Sequence, residues 1–365
     1  MSVTRFLLFT PEVEVAQPNE EEDQAAIRET FARTRAYTFE RHRHAIRDAH
    51  AKSHGVLTGE LAVRNDLPQE LRQGLFRHET TYPVIVRLST SPGNIVHDGV
   101  AALRGMAVKV IGVEGPKLLP EMQDAVTQDF LLCNHPTIAA GDVSSYRRQA
   151  LILDRTTRVP EPLQRLSTPI LRVGQATLRR FGVDRAGTAA GLAKPRTHIL
   201  GETFYSQAAI RYGDYVAKVA ARPASANVRA LVGARVDPSN SSALLDLVRD
   251  FFSQETAEYD VQIQLATDLV TMPVEDASVE WDESVSAYRT VATLTLPPQD
   301  PYSPNRHTYA DDVLSFNPWH GLVEHQPLGS IQRIRRPIYD DSTTDRHTLN
   351  AVPLTEPNSI EALPA

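Results

Sequence analysis

Two groups of β-strand patterns most constrain the fold of this 365-residue chain. Each group contains four segments in which apolar residues alternate with other residues or form a short apolar run. The groups lie at about residues 56–134 and 202–296, and turn signals such as Gly213-Asp214 separate neighbouring segments. Short links favour an antiparallel meander, and alternation between an apolar outer face and a mixed inner face favours closure into a barrel. We therefore predict an α+β fold built on an eight-stranded antiparallel β-barrel.

Helical patterns flank the strands and interrupt them. Residues 20–48 and 243–254 carry apolar residues at three- and four-residue spacings. Residues 143–200 form a helical excursion between the two groups of strands, and residues 328–342 form a helix near the C-terminus. The predicted units are an N-terminal extension (1–24), one domain (25–350) and a polar, proline-rich C-terminal tail (351–365).

Composition argues against several classes of function. The chain has 38 Lys and Arg against 45 Asp and Glu, and this net charge of −7 argues against nucleic acid or an anionic membrane as a partner. Cys133 is the only cysteine, so the sequence has neither a disulfide framework nor a cysteine metal cluster. No apolar run approaches the roughly 18 residues that span a bilayer, and residues 1–17 lack the pattern of a signal peptide. We therefore expect a cytoplasmic protein.

Two arginines flank a tyrosine near the C-terminus. Arg335 precedes Tyr339 by four residues, and Arg346 follows it by seven. Because a positive charge within about 4–6 Å lowers the pKa of a phenol, this set can hold a phenolate beside a trivalent metal. On its own, an Arg-x-x-x-Tyr pair on a helix is more commonly a surface pair in which the arginine lies along the ring.

Two further residues stand in unusual positions. Arg87 interrupts an apolar strand pattern at 82–90, and since an unpaired buried charge is costly, it needs an anionic partner or a wet lumen. His50 precedes the first strand pattern. A lone histidine at a strand entrance is more often structural than catalytic, so neither residue decides the function alone.

Five short motifs follow one another along the chain. They are Arg47-x-x-His50-Ala51-Lys52, Arg87-Leu88-Ser89-Thr90, Arg104-Gly105-Met106-Ala107-Val108-Lys109, Asn134-His135-Pro136, and Arg335-x-x-x-Tyr339 with Arg346. Their order and spacing resemble those of the haem catalase superfamily, and in particular its short members, the catalase-related peroxidases or mini-catalases. The resemblance covers about residues 25–350. It implies a catalase-like barrel and haem b, with its iron, as the cofactor.

The resemblance implies the residues that hold the haem. Tyr339 matches the proximal phenolate ligand of the iron, and Arg335 matches the arginine that lowers the pKa of that phenolate. Tyr146 matches an aromatic residue that stacks near the haem. The three arginines that match the partners of the haem propionates are Arg47, Arg87 and Arg346.

The resemblance also implies a distal, peroxide-facing set. His50 matches the histidine that moves a proton from one peroxide oxygen to the other, and Ser89 matches the hydroxyl that fixes its tautomer. Asn134 is the candidate for the amide that orients the peroxide. A strict register on the following Pro136 would instead put Cys133 at that position.

Departures from the family pattern shape the functional prediction. Ala49 stands where a valine is usual, and Ile138 stands among smaller residues that replace distal phenylalanines. Because smaller residues widen the pocket, we predict a haem-dependent peroxidase that reduces peroxides, organic hydroperoxides above all, through a ferryl intermediate, with weak dismutation of H2O2.

Two alternatives remain. A hydroperoxide-rearranging enzyme of the allene oxide synthase type usually has threonine before the distal histidine, and Ala49 argues against it. A non-catalytic haem-binding protein would not need His50 or Ser89. A barrel without a cofactor would leave the arginine set unexplained.

The same resemblance sets the expected partners. These are a peroxide substrate and an electron donor that the sequence does not identify, with no nucleic acid and no membrane. We expect a homo-oligomer, with a dimer favoured. The sequence has no counterpart of the C-terminal domain that binds NADPH in typical catalases, so we expect no NADPH site.

Overall fold

Nine strands and six α-helices are present in the computed structural model, which describes residues 6–159, 196–237 and 239–364. The strands are β1 (Lys52–Val63), β2 (Thr81–Thr90), β3 (Arg104–Ile111), β4 (Thr127–Cys133), β5 (Phe204–Tyr205), β6 (Ile210–Tyr212), β7 (Tyr215–Pro223), β8 (Ala257–Leu265) and β9 (Arg289–Leu296). The helices are α1 (Glu20–His42), α2 (Val143–Thr157), α3 (Ala226–Arg229), α4 (Ala243–Phe252), α5 (Pro304–Thr308) and α6 (Ser330–Leu349). A π-helical turn, Tyr309–Val313, follows α5 directly and is called the π turn below.

The strands close into a ring of eight. Antiparallel neighbours run in the order β4-β3-β2-β1-β9-β8-β7, and β5 pairs with both β4 and β7. The short strand β6 pairs with β7 beside the ring. The predicted eight-stranded antiparallel barrel is therefore confirmed.

The pattern at residues 202–211, the first segment of the second group, predicts one continuous strand, whereas the structure divides it into β5 and β6. Between them Gln207 has a φ of 65°, a left-handed conformation that interrupts a strand. Its Nε2 donates to the carbonyl oxygen of Thr137 at 2.8 Å. A contact with a distant loop thus breaks a strand that the local pattern favours.

Strand register separates the barrel interior from its outer face. Leu57, Val86, Val108 and Phe130 lie in one row across β1 to β4 and belong to the large apolar core. This apolar interior differs from the mixed one that we predicted. The next row, on the outer face, begins with Val56 and continues through Arg87, Ala107 and Leu131. Arg87 therefore lies outside the barrel, and its partners are found there.

Both terminal segments pack against the barrel. The backbone N–H of Leu7 donates to Ala266 at 2.8 Å, next to β8. Leu363, in the segment predicted as a tail, packs against Val56 and Ile85 on the outer face. These contacts join sequence-distant segments, and local composition does not reveal them.

The helices differ in length from the patterns that predicted them. Helix α1 ends at His42 rather than near Asp48, because Arg43 adopts a left-handed conformation with φ 54°. Helix α6 extends beyond the predicted 328–342 to Leu349 and so includes Arg346. Helix α2 begins the predicted excursion, and residues 160–195 of that excursion lie outside the described residues. No helix among the described residues is long and apolar enough to cross a membrane.

An ion-pair cluster fixes the start of α6. Arg333 binds Glu14 at 2.7 Å, Glu20 at 2.6 Å and Glu275 at 2.9 Å. Glu14 also accepts the N–H of Gly329, so it caps the helix that carries Tyr339. The N-terminal segment, the 275 loop and α6 are therefore held by a single guanidinium group.

Replacing Arg333 with alanine should lower the free energy of unfolding by roughly 3 kcal/mol, because three carboxylates then lose the cation that compensates them. Urea unfolding followed by far-ultraviolet circular dichroism measures the change. Arg33→Ala is the matched control, since it removes an exposed pair with Glu29 and should cost less than about 0.5 kcal/mol. Equal effects of the two changes would contradict the role of Arg333.

Candidate active site

His50 lies immediately before β1 in a strained backbone conformation. Its φ is 56°, which non-glycine residues rarely adopt, and its N–H donates to the carbonyl oxygen of Ser91 at 3.1 Å. The Nδ1 atom lies 3.0 Å from Oγ of Ser89 on β2. The hydroxyl thus orients the ring and leaves Nε2 free to face another group.

Gly105 on β3 provides the surface on which the imidazole rests. A Cβ at this position would lie 2.6 Å from both Cε1 and Nδ1 of His50 and 3.0 Å from Oγ of Ser89. Only glycine leaves room for the ring there. The sequence motifs gave Gly105 no role. Its pairing with Ser89 across β2 and β3 is the observation that would have indicated one.

Cys133, rather than Asn134, faces His50 from β4. Its Sγ lies 3.8 Å from Nε2 of His50, and it follows Gly105 in the same row of the outer face. Oδ1 of Asn134 accepts the backbone N–H of Arg104 at 2.8 Å. Successive strand residues face opposite sides. Cys133 is therefore the residue of this segment that faces the histidine, and Asn134 is not.

The pair formed by His50 and Cys133 is neutral. Burial, reinforced by the positive charges of Arg87 and Arg335, lowers the pKa of His50 to about 3. Burial raises the pKa of the Cys133 thiol to about 11. At neutral pH the site therefore contains an uncharged imidazole, able to accept a proton, beside an uncharged thiol.

Arg47 and Arg346 both donate to the π turn. Arg47 Nη2 lies 2.6 Å from the carbonyl oxygen of Ala310, and Arg346 Nη1 lies 2.8 Å from that of Asp311. Burial and the nearby charge of Arg87 lower the pKa of Arg346 to about 10. The same two causes, in that order, lower the pKa of Arg47.

Asp311 is an anionic partner of this arginine cluster. Its Oδ1 lies 3.2 Å from Arg47 and 3.3 Å from Arg87, and its Oδ2 lies 2.9 Å from Nε2 of His307. Burial raises the pKa of Asp311, but the His307 hydrogen bond and the charges of Arg87 and Arg47 outweigh it and hold that pKa below its ordinary value. Arg87 thus has the anionic partner that its place in an apolar strand required.

Two guanidinium groups of the cluster have a buried nitrogen without an acceptor among the described residues. These atoms are Nε of Arg87 and Nε of Arg346, and each residue is 2% exposed. A buried donor without a partner costs about 1–3 kcal/mol. Three guanidinium groups near two carboxylates, those of Asp311 and Asp312, also leave excess positive charge. Both features fit a ligand with two carboxylates, such as the propionates of haem.

Tyr339 on α6 is a half-buried candidate for a metal ligand. Burial raises its pKa, while the charges of Arg335 and Arg47 oppose that rise without reversing it. The arginines alone therefore do not produce the phenolate that we predicted from the motif. A bound metal cation favours the phenolate, because a coordinated group is strongly biased toward its deprotonated form. Arg346 donates to the π turn rather than acting as a second cation for Tyr339.

Tyr146 on α2 lies in the same region. Its ring stacks on Phe31 of α1, with centroids 6.5 Å apart. Burial raises the pKa of Tyr146 to about 12. The charge of Arg335 opposes this rise, and the phenol of Tyr339 adds to it. Its assignment as an aromatic residue beside haem stays a prediction.

Gly105→Ala should displace the His50 ring and break its contact with Ser89, because the added Cβ occupies the space of the imidazole. Nitrogen-15 NMR of the histidine ring should then show mixed tautomers in place of one. Ser89→Ala should give the same mixture without the steric conflict. A single unchanged tautomer in both variants would contradict this packing.

Asp311→Asn should destabilise the protein by roughly 3 kcal/mol at pH 7, since it removes the carboxylate partner of the guanidinium groups of Arg47 and Arg87. A carboxylate with a lowered folded pKa adds stability that is present above its unfolded pKa, about 3.9, and is lost as the pH falls through the folded value. The difference between the variant and the natural chain should therefore shrink below about pH 4.

Thermal unfolding at several pH values checks this prediction. Asp66→Asn is its control, because Asp66 forms an exposed pair with Arg64 and should change stability by less than about 0.5 kcal/mol. A pH-independent loss in Asp311→Asn would argue against the ion-pair explanation.

Comparison with known proteins gives a structural likeness. No protein-family model matches the chain, and a search of curated proteins found no significant match. A fungal catalase matches 86% of this chain and 63% of its own length, at a TM-score of 0.59 and 17% identity. Catalase A from Saccharomyces cerevisiae matches 90% of this chain and 70% of its own length, also at 0.59 and 17%. A bacterial catalase matches 89% of this chain and 63% of its own length, at a TM-score of 0.58 and 15% identity.

These values show the fold. At 15–17% identity the likeness concerns architecture rather than activity. The chain spans less than two thirds of the length of the fungal and bacterial catalases. The predicted catalase-like barrel with flanking helices is therefore confirmed.

Proposed function

We propose that this chain is a haem-dependent peroxidase that resembles the short, catalase-related branch of the haem catalases. One observation carries the proposal. The charge of Arg335 acts on both the neutral imidazole of His50 and the phenol of Tyr339. A proton acceptor and a candidate metal ligand therefore lie near the same guanidinium group.

Five residues would hold the haem. Tyr339 would ligate its iron, Arg335 would favour the phenolate, and the propionates would meet Arg47, Arg87 and Arg346. The unpaired Nε atoms of Arg87 and Arg346 support this assignment. When bound, haem supplies a redox-active iron that takes up the oxidising equivalents of a peroxide.

His50 would move the proton. Its pKa of about 3 keeps Nε2 unprotonated across neutral pH, so it can accept the proton of a bound hydroperoxide. It then returns that proton to the departing oxygen, which leaves as an alcohol or water. Ser89 keeps the ring oriented through Nδ1 during both transfers.

The finer features of the proposal follow the sequence analysis. The substrates would be organic hydroperoxides, with weak dismutation of H2O2, and a separate reductant would supply electrons. We propose a cytoplasmic homo-oligomer, with a dimer favoured. The small residues Ala49 and Ala140 support a pocket wide enough for an alkyl group.

Tyr339→Phe should abolish the tyrosinate-type absorption spectrum that forms when haemin is added to the purified protein, because phenylalanine offers no ligand atom. Spectrophotometric titration measures it. Tyr37→Phe is the control, since that ring lies on α1 against Arg158 and should leave the spectrum unchanged. An unaltered spectrum in Tyr339→Phe would end the proposal.

His50→Ala should retain haem but lower peroxide-dependent dye oxidation by about 10²–10⁴-fold, the usual contribution of an acid–base group. The assay uses H2O2 and a bulky alkyl hydroperoxide, with and without the reducing dye, and also follows oxygen release. Activity equal to that of the natural protein would remove His50 from the mechanism.

A further inference from the structure

We propose that Cys133 determines which peroxides this site accepts, in favour of hydroperoxides that carry an apolar group. The inference rests on the peroxidase function proposed above. It gives Cys133 a role in substrate choice that neither the motif nor the comparison with catalases assigns to it.

The first argument is the place of Cys133 on the barrel. It lies in the row Ser89, Gly105, Cys133, and Ala107 and Leu131 occupy the adjacent row of the same outer face. Cys133 is partly exposed. Besides the Ser89 hydroxyl, which contacts Nδ1 of His50, the row that meets His50 thus offers the hydrogen atom of Gly105 and the sulfur atom of Cys133. This surface suits an apolar group better than a second polar oxygen.

The second argument is the chemistry of the thiol. A cysteine that remains protonated behaves as a small hydrophobic residue with a weak S–H donor. Its Sγ lies 3.8 Å from Nε2 of His50, a distance that permits a weak hydrogen bond. His50 is therefore the strong hydrogen-bonding group that faces a bound peroxide.

This asymmetry separates two classes of substrate. H2O2 has two O–H groups. The imidazole can form a strong hydrogen bond with one of them, whereas the thiol forms only a weak hydrogen bond with the other. An alkyl hydroperoxide has one O–H group, and its carbon atoms replace the second. A site that hydrogen-bonds an O–H group strongly favours substrates that carry this group, whereas an apolar surface does not favour them. Cys133 therefore penalises H2O2 relative to an alkyl hydroperoxide.

The thiol also acts through His50. An S–H that points to Nε2 requires Nε2 to be unprotonated, and the ring proton then resides on Nδ1, where Oγ of Ser89 accepts it at 3.0 Å. Cys133 and Ser89 thus favour the same tautomer from opposite sides of the ring. In that tautomer Nε2 carries no proton, so a peroxide O–H can replace the weakly bound thiol as its hydrogen-bond donor.

Cys133→Asn tests the inference in the haem-loaded protein. An amide donates and accepts strongly, so the ratio of kcat/KM for cumene hydroperoxide to that for H2O2 should fall about tenfold, mainly because the H2O2 value rises. Cys133→Ala should keep the ratio of the natural protein, since a methyl group is also apolar. A ratio in Cys133→Asn within about twofold of the natural value would overturn the inference.

A second measurement uses the haem-free protein. Nitrogen-15 NMR of His50 during titration with cumyl alcohol should show weaker binding to Cys133→Asn than to the natural chain. Equal binding would count against the apolar contact. If the natural, haem-loaded protein turns over neither peroxide, the proposed function fails. If it turns over both and the ratio does not respond to Cys133→Asn, the inference alone fails.

Discussion

The contact of three arginines with the π turn holds the two halves of the site together. Arg47 comes from the segment before β1, Arg87 from β2 and Arg346 from α6. All three donate to the turn or to Asp311 within it. Since buried guanidinium groups repel one another, they converge only where carbonyl oxygens and a carboxylate compensate them. The turn therefore fixes the helix that carries Tyr339 relative to the barrel face that carries His50.

The same positive charge sets the chemistry of both groups. It adds to burial in lowering the pKa of His50 and opposes burial at Tyr339. The histidine is consequently uncharged and only weakly basic at Nε2, and the phenol needs a cation to become an anion. One charge distribution thus suits a proton acceptor on one side and a metal ligand on the other.

The sequence predicted the barrel well because strand alternation is a local property. Residues that face the interior, such as Leu57, Val86 and Val108, recur at every second position along their strands. This alternation is visible in the sequence. Long-range contacts are not visible in this way. Gln207 breaks a strand through the carbonyl of Thr137, and Glu14 reaches Arg333 across most of the chain.

Within the site, the motifs did not decide which of two adjacent side chains faces His50. The register set by Pro136 favoured Cys133, whereas residue type favoured Asn134. Only the pairing of Cys133 with Gly105 shows which side chain faces His50. The role of Gly105 depends on the same pairing, because it follows from what would fill the space above its Cα.

The alternation of side chains along each strand therefore determines which residues the outer face of the barrel presents to the site. The row of Ser89, Gly105 and Cys133 meets His50, and the row of Arg87, Ala107 and Leu131 meets the π turn and its apolar neighbours. A third row pairs Lys109 with Asp129 at 2.8 Å.

This third row connects the barrel to the metal-ligand candidate. Asp129 accepts the N–H of Asn317 at 3.0 Å, and the Asn317 amide donates to Asp340, the neighbour of Tyr339, at 2.8 Å. Lys109 also binds Glu356 of the C-terminal segment. A shift of one residue in the register of β3 would turn Gly105, Ala107 and Lys109 into the apolar interior. The buried core row thus protects the site, because any slip that misplaces the site also exposes Met106 and Val108 and buries Lys109 among apolar side chains.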